Sequence, residues 1–125
     1  GVKKVLFISS SSVYGLGGKT PRSETSRLDP LSPYAMSKLL GEELCQFYTK
    51  TYGLNVVIAR CFNIYGPTQP SDSAYAAVLT KWAKLAQKGL PLQNNGDGLQ
   101  TRDFLHVQDT VRALLMILKN KSVKS

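Results

Sequence analysis

The sequence predicts an α/β chain built on parallel strands, and three observations carry that expectation. Two short apolar runs rich in β-branched residues, 4–9 and 54–60, read as strands buried on both faces. Longer segments with apolar residues at helical spacing follow each of them. The resulting order, β-α-β-α-(β)-β-α, puts helices between strands, as right-handed parallel crossovers require. At 125 residues the chain suits a single domain, 1–125, with a core of its own, and no linker or repeat divides it.

Each element has its own signal. Residues 4–9 are a near-continuous apolar run. Residues 10–31 are irregular, broken by Gly15, Gly17, Gly18, Pro21 and Pro30, and a loop of about 20 residues is long enough to suggest function. A helix is expected over 32–52. Ser32 suits the N-cap and Pro33 the first helical position. Met36, Leu40, Leu44, Phe47 and Tyr48 form its apolar stripe, the side that in a surface helix faces the core. Gly53 is the stop signal. The strand 54–60 leads into a loop, 61–72, carrying Gly66, Pro67 and Pro70. In 73–88, Tyr75, Val78, Leu79, Trp82, Leu85 and Ala86 recur at helical spacing up to Gly89. Residues 90–98 are turn-rich, and 101–107 read as a short strand. A last helix, 108–120, would bury Val111, Leu114, Leu115 and Leu118.

Composition narrows the function. No run of about 18 apolar residues exists, which argues against a transmembrane helix. The apolar start after Lys3 and Lys4 is too short for a signal peptide, so a reducing, cytoplasmic setting is the default. Cys45 and Cys61 are then simplest as free thiols, and with a single His106 they make no metal-ligand set. The formal charge of +8 would suit nucleic acid, but the basic residues are scattered and no aromatic residues interleave with them. A small anionic ligand such as a diphosphate suits a basic surface equally well.

The central stretch is 32–38, which sets Tyr34 and Lys38 one helical turn apart on one face. A phenol beside a fixed positive charge becomes a better proton-transfer group than a free one. Alone, the pair reads equally as surface decoration. Four serines, Ser9 to Ser12, follow the first strand directly, at the carboxyl end where α/β sheets bind ligands.

Four motifs then appear in order. They are Ser9-Ser10-Ser11-Ser12-Val13-Tyr14-Gly15, Ser32-Pro33-Tyr34 with Lys38, Arg60-Cys61-Phe62-Asn63-Ile64-Tyr65-Gly66-Pro67, and Gly96-Asp97-Gly98 with Arg102-Asp103-Phe104. Together they resemble the extended short-chain dehydrogenase/reductases, and more narrowly the NAD-dependent sugar-nucleotide epimerase/dehydratase family. The match runs to about Leu118. The resemblance implies part of a Rossmann-like, doubly wound parallel sheet flanked by helices. It implies that Tyr34 is the acid/base and that Lys38 holds the nicotinamide ribose and makes the phenol more acidic. Ser10 would hydrogen-bond the reacting oxygen, and Phe62 would lie along the nicotinamide. Asn63 and Arg102 would bind the diphosphate of a nucleotide sugar. Asp103, Asp109 and His106 read as structural.

Two departures refine this expectation. Dehydratases and decarboxylases of the family carry a carboxylate where this chain has Ser11 and Ser12, which favours 4-epimerase-like or keto-reductase chemistry. Gln93-Asn94-Asn95 stand where the family usually has apolar and aromatic residues near the base. The family's opening Gly-x-x-Gly-x-x-Gly turn, which holds the NAD pyrophosphate, does not occur in these residues. The chain is therefore expected to be a C-terminal portion or a truncated product, with most NAD contacts missing and a hydrophobic strand edge that invites homo-oligomers. Two other readings remain open. One is a non-catalytic remnant that self-associates and binds a nucleotide sugar weakly. The other is a basic nucleic-acid-binding module.

Overall fold

The computed structural model describes residues 1–16, 21–70 and 78–123. The chain forms two compact units, Gly1–Cys61 with Arg112–Ser125, and Phe62–Val111.

In the first unit, strand β1 (Val5–Ser10) pairs in parallel with β2 (Val56–Cys61), from Val5 opposite Val56 to Ser10 opposite Cys61. Helix α1 (Pro33–Tyr52) is the crossover. It starts where the sequence says it should: the Ser32 hydroxyl accepts the Ala35 amide at 3.0 Å, with Pro33 in the first turn. It ends at Gly53, whose φ of 65° is the left-handed cap conformation that glycine adopts at no steric cost. A 3-10 turn, Ser11–Tyr14, continues directly from β1. This turn stands at the head of the expected loop; four residues are too few to leave a periodic pattern.

The α1 stripe is a correction. Met36, Leu40, Leu44, Phe47 and Tyr48 are all exposed, by 45–60%. The buried side of the helix instead carries Ala35 and Glu42. Gly41 explains why. A Cβ placed there would lie 2.3 Å from Phe7 Cζ, so the helix meets the sheet through small residues and leaves no room for its bulky ones. Val13, Tyr14, Ala35 and Val56 form the apolar core, with Ser9 and Glu42 buried among them.

Within this unit Lys4 joins the segment 117–123 to the start of β1. Lys4 Nζ donates to the carbonyls of Ile117, Asn120 and Val123 at 2.6, 2.9 and 2.9 Å. An ammonium has three donors, and all three are used here: one carbonyl is in the last turn of helix α3 (Val107–Lys119), where a positive charge also suits the helix dipole, and the others, Asn120 and Val123, lie just past it.

In the second unit, β3 (Asn63–Tyr65) pairs in parallel with β4 (Phe104–His106). Strand β3 falls in an expected loop, and β4 occupies only the end of the expected 101–107 run. Helix α2 (Val78–Gln87) matches the described part of the expected helix, while 73–77, including Tyr75, lie outside the described residues. Trp82 Nε1 donates to the Gln93 carbonyl at 2.8 Å and anchors the turn-rich segment. Helix α3 begins immediately after β4, and a Cβ on Gly66 would sit 2.4 Å from Val107 Cγ1. Of the residues α3 was expected to bury, Val111, Leu115 and Leu118 are 48%, 47% and 41% exposed. The helix has more apolar surface than the described residues cover. Both strand pairs are parallel and flanked by helices, which bears out the α/β, partial Rossmann-like expectation.

Replacing Gly41 by Val should destabilise the chain by about 1–3 kcal/mol through overpacking. Adding Phe7→Leu should recover part of that loss, and urea denaturation of the single and double variants measures both.

Candidate active site

Helix α1 brings Tyr34 and Lys38 together. The Lys38 ammonium lies 5.7 Å from the Tyr34 ring centroid and 5.7 Å from that of Phe7. It donates to the Ile8 carbonyl at 3.0 Å, near the carboxyl end of β1. That bond holds Lys38 two residues before Ser10 while leaving two ammonium donors for other partners. Tyr34 is 55% exposed.

Ser10 caps the 3-10 turn. Its oxygen accepts from the Ser12 amide at 3.2 Å and from the Ser12 hydroxyl at 2.9 Å. Both lone pairs are thereby engaged, and the Ser10 hydroxyl is left as a donor. The expected trio thus lies within one unit, at the strand end and the facing helix.

Sequence reasoning missed the group beneath it. Glu42 is fully buried and Arg60 grips its carboxylate with two nitrogens: Nε at 2.9 and 3.1 Å and Nη2 at 2.7 Å. Ser9 Oγ donates to the same carboxylate at 2.5 Å. Arg60 Nη1 donates to the Tyr14 hydroxyl and to the Glu24 carbonyl, each at 3.0 Å, and the guanidinium lies 5.0 Å from the Tyr14 ring centroid. Burial alone would push the Glu42 carboxyl up. The hydrogen bonds from Arg60 and Ser9, with the Arg60 charge, outweigh burial and hold it below the usual carboxylate range. The carboxylate in turn stabilises the charged guanidinium. A signal did exist: Glu42 is seven residues from Ala35, so it shares the inner phase of the helix.

The two thiols are free. Burial pushes Cys61 up in spite of the Lys38 charge, and burial with the Glu42 charge pushes Cys45 up. Neither has the depressed pKa of a nucleophilic cysteine.

The second unit holds the other expected residues. Phe62 is half-buried, between β2 and β3. Asn63 Nδ2 donates to the Asp103 carbonyl at 2.9 Å, so β3 is tied to the residue after Arg102. Arg102 Nη1 donates to the Thr101 carbonyl at 2.8 Å. His106 is used structurally: Nδ1 accepts the Gln108 amide at 3.3 Å and its ring packs edge-on to Tyr65. An open cavity of about 700 Å³ is lined by residues including Tyr65, Thr68, Thr80 and Lys84, and its described lining contains none of the expected site residues. Among the described residues no three His, Cys, Asp or Glu side chains could share a metal, and no helix is long and apolar enough to cross a membrane.

Glu42→Gln should cost about 3 kcal/mol at pH 7, because it leaves Arg60 with no buried counter-charge. The wild-type advantage depends on a lowered pKa. It should therefore be present above the unfolded carboxylate value of ~4.3 and fade as pH falls through the lower folded value. Urea midpoints of both chains from pH 7 to pH 2 should converge; parallel curves would trace the loss to another cause.

The whole chain, residues 1–125, matches the family model described as the NAD dependent epimerase/dehydratase family. An uncharacterized UDP-glucose epimerase of Bacillus subtilis is 42% identical over 94% of this chain. The UDP-N-acetylglucosamine 4-epimerase of Methanobrevibacter ruminantium, solved with UDP-N-acetylmuramic acid, superposes with a TM-score of 0.90 at 38% identity over 96% of the chain. The UDP-glucuronic acid 4-epimerase of Bacillus cereus, solved with UDP-glucuronic acid and NAD, gives 0.82 at 40% identity over 95%. The chain spans 35%, 39% and 36% of the length of these three proteins. It belongs to the NAD-dependent sugar-nucleotide epimerase/dehydratase family.

Proposed function

We propose that this chain provides the proton-transfer residues and the diphosphate contacts of an NAD-dependent sugar-nucleotide epimerase acting at carbon 4. The observation that carries the reading is the Tyr34–Lys38 pair fixed against the carboxyl end of β1, two residues before the donor hydroxyl of Ser10. Tyr34 Oη takes a proton from the sugar hydroxyl and later returns it. Ser10 donates to the same reacting oxygen. NAD, when bound, supplies the hydride acceptor and donor. The residues present fit its nicotinamide end: Lys38 has two ammonium donors for ribose hydroxyls, and Tyr34 is exposed beside it. Phe62 would lie along the nicotinamide ring. In the second unit, Asn63 and Arg102 bind the diphosphate, with Asn63 bonded to the backbone next to Arg102.

Epimerisation is favoured over dehydration by the turn after β1. Ser11 and Ser12 offer no carboxylate, and Ser12 is occupied in holding Ser10. The relatives solved with uridine diphosphate sugars make such a compound the natural first probe. Titration with UDP-glucose should raise the melting temperature and change Trp82 fluorescence, and Arg102→Ala should weaken both effects at least tenfold, as loss of a charged hydrogen bond predicts. With NAD present at millimolar level, Tyr34→Phe should spare UDP-glucose binding and remove any interconversion of UDP-glucose and UDP-galactose that the wild-type chain supports. A chain that neither binds nor turns over these compounds defeats the proposal.

A second reading, a self-associating chain without catalysis, is favoured by the exposed stripe Met36, Leu40, Leu44 and Phe47. It predicts a dimer in sedimentation that Leu44→Glu converts to monomer.

A further inference from the structure

We propose that Glu42 and Arg60 are positioning residues, which clamp the Ser10 turn at both ends against the helix that carries Tyr34 and Lys38. This rests on reading Ser10, Tyr34 and Lys38 as one site. The clamp is built from four side chains, Glu42 on α1, Ser9 on β1, Tyr14 in the turn and Arg60 on β2. Ser9, the residue immediately before Ser10, is bonded to Glu42 at 2.5 Å. Tyr14, the last residue of the turn, is held by Arg60 through its hydroxyl at 3.0 Å and its ring at 5.0 Å. Arg60 lies opposite Ser9 in the parallel register. The stretch from Ser9 to Tyr14, which contains Ser10 and the Ser12 that bonds it, is therefore held at both ends by one ion pair.

The helix side of the clamp has a matching spacing. Tyr34, Lys38 and Glu42 follow one another at four-residue intervals, one turn apart each time. Lys38 grips β1 at the Ile8 carbonyl, and Glu42 grips the same strand at Ser9. A sideways slip of β1 along α1 would break both bonds together. Arg60 Nη1 also reaches the Glu24 carbonyl, so the segment returning from the turn to α1 is held by the same guanidinium.

A buried ion pair is a poor way to gain stability alone, since an apolar pair of similar volume does as well or better. Directional bonds to Ser9, Tyr14 and Glu24 are what such a replacement cannot supply. That difference gives the test. Isotope-labelled wild-type chain, the double variant Glu42→Leu/Arg60→Met, and Tyr14→Phe are compared by thermal melting and NMR. The double variant is expected to melt close to wild type, yet to exchange its Ser12 amide about tenfold faster. Its Lys38 Hε signals, displaced in wild type by the Phe7 and Tyr34 rings, should move toward their unstructured positions. Wild-type Ser12 protection and wild-type Lys38 signals in a stable double variant would overturn the proposal, because the ion pair would then supply stability only.

If the double variant does not fold, Tyr14→Phe decides. It keeps the ion pair and removes one end of the clamp, so Ser12 exchange should rise while the Lys38 signals stay. Unchanged Ser12 exchange overturns the proposal. UDP-glucose titrated into the wild-type sample reads the functional assignment separately: an absence of shifts defeats that assignment and leaves the comparison of turn mobility intact.

Discussion

One ion pair, between the fully buried Glu42 and the half-buried Arg60, organises the first unit of this chain. Taking a carboxylate fully out of water costs several kcal/mol, and covering most of a guanidinium adds to that. Glu42 and Arg60 offset this with a two-nitrogen grip and with bonds to Ser9, Tyr14 and a backbone carbonyl, so that few of their polar valences are left unfilled. The groups involved come from five segments of the unit: the first strand, the turn after it, the long loop, the crossover helix and the second strand. Hydrophobic burial supplies the compactness, but it has no direction. The register of strand, turn and helix is set by these bonds.

That register matters because the candidate chemistry depends on small distances. Ser10 is left as a donor because Ser12 fills its acceptor positions. Lys38 stands beside Tyr34 because the Ile8 carbonyl catches its ammonium. Each is a weak arrangement by itself, exposed to water on one side. The rigid carboxylate one turn further along α1 gives the helix a fixed purchase on β1. Sites held on regular elements with supported side chains keep their geometry better than sites on free loops.

The sequence reading succeeded where a residue acts locally and failed where it acts through space. Ser32, Pro33 and Gly53 bound α1 by chemistry confined to a turn, and the structure keeps all three roles. The four motifs were legible because their order and spacing survive without knowledge of contacts. The stripe of α1 misled because periodicity reports that a helix has an apolar side without saying which surface takes it. Gly41 against Phe7 decides that question, and a glycine carries no apolar signal. Glu42 was missed for the complementary reason: a carboxylate at an inner position reads as solvent-facing until its partner, eighteen residues away, is known. Strand β3 was lost in a loop because three residues are too few to show alternation. The placement of Asn63 beside the Arg102 backbone likewise needed the β3–β4 register.

Lys4 adds a consequence for how the chain is made. Its ammonium joins the fourth residue to carbonyls at 117, 120 and 123. The unit it closes is discontinuous in sequence, with 62–111 inserted in its middle. Contacts of such long separation form slowly, because much chain entropy is lost before they form. On a ribosome residues 62–111 emerge before 117–123 do, so Lys4 waits for these carbonyls until the inserted unit has been made. During that interval β1 can already pair with β2, but the contact that joins its start to 117–123 is still missing.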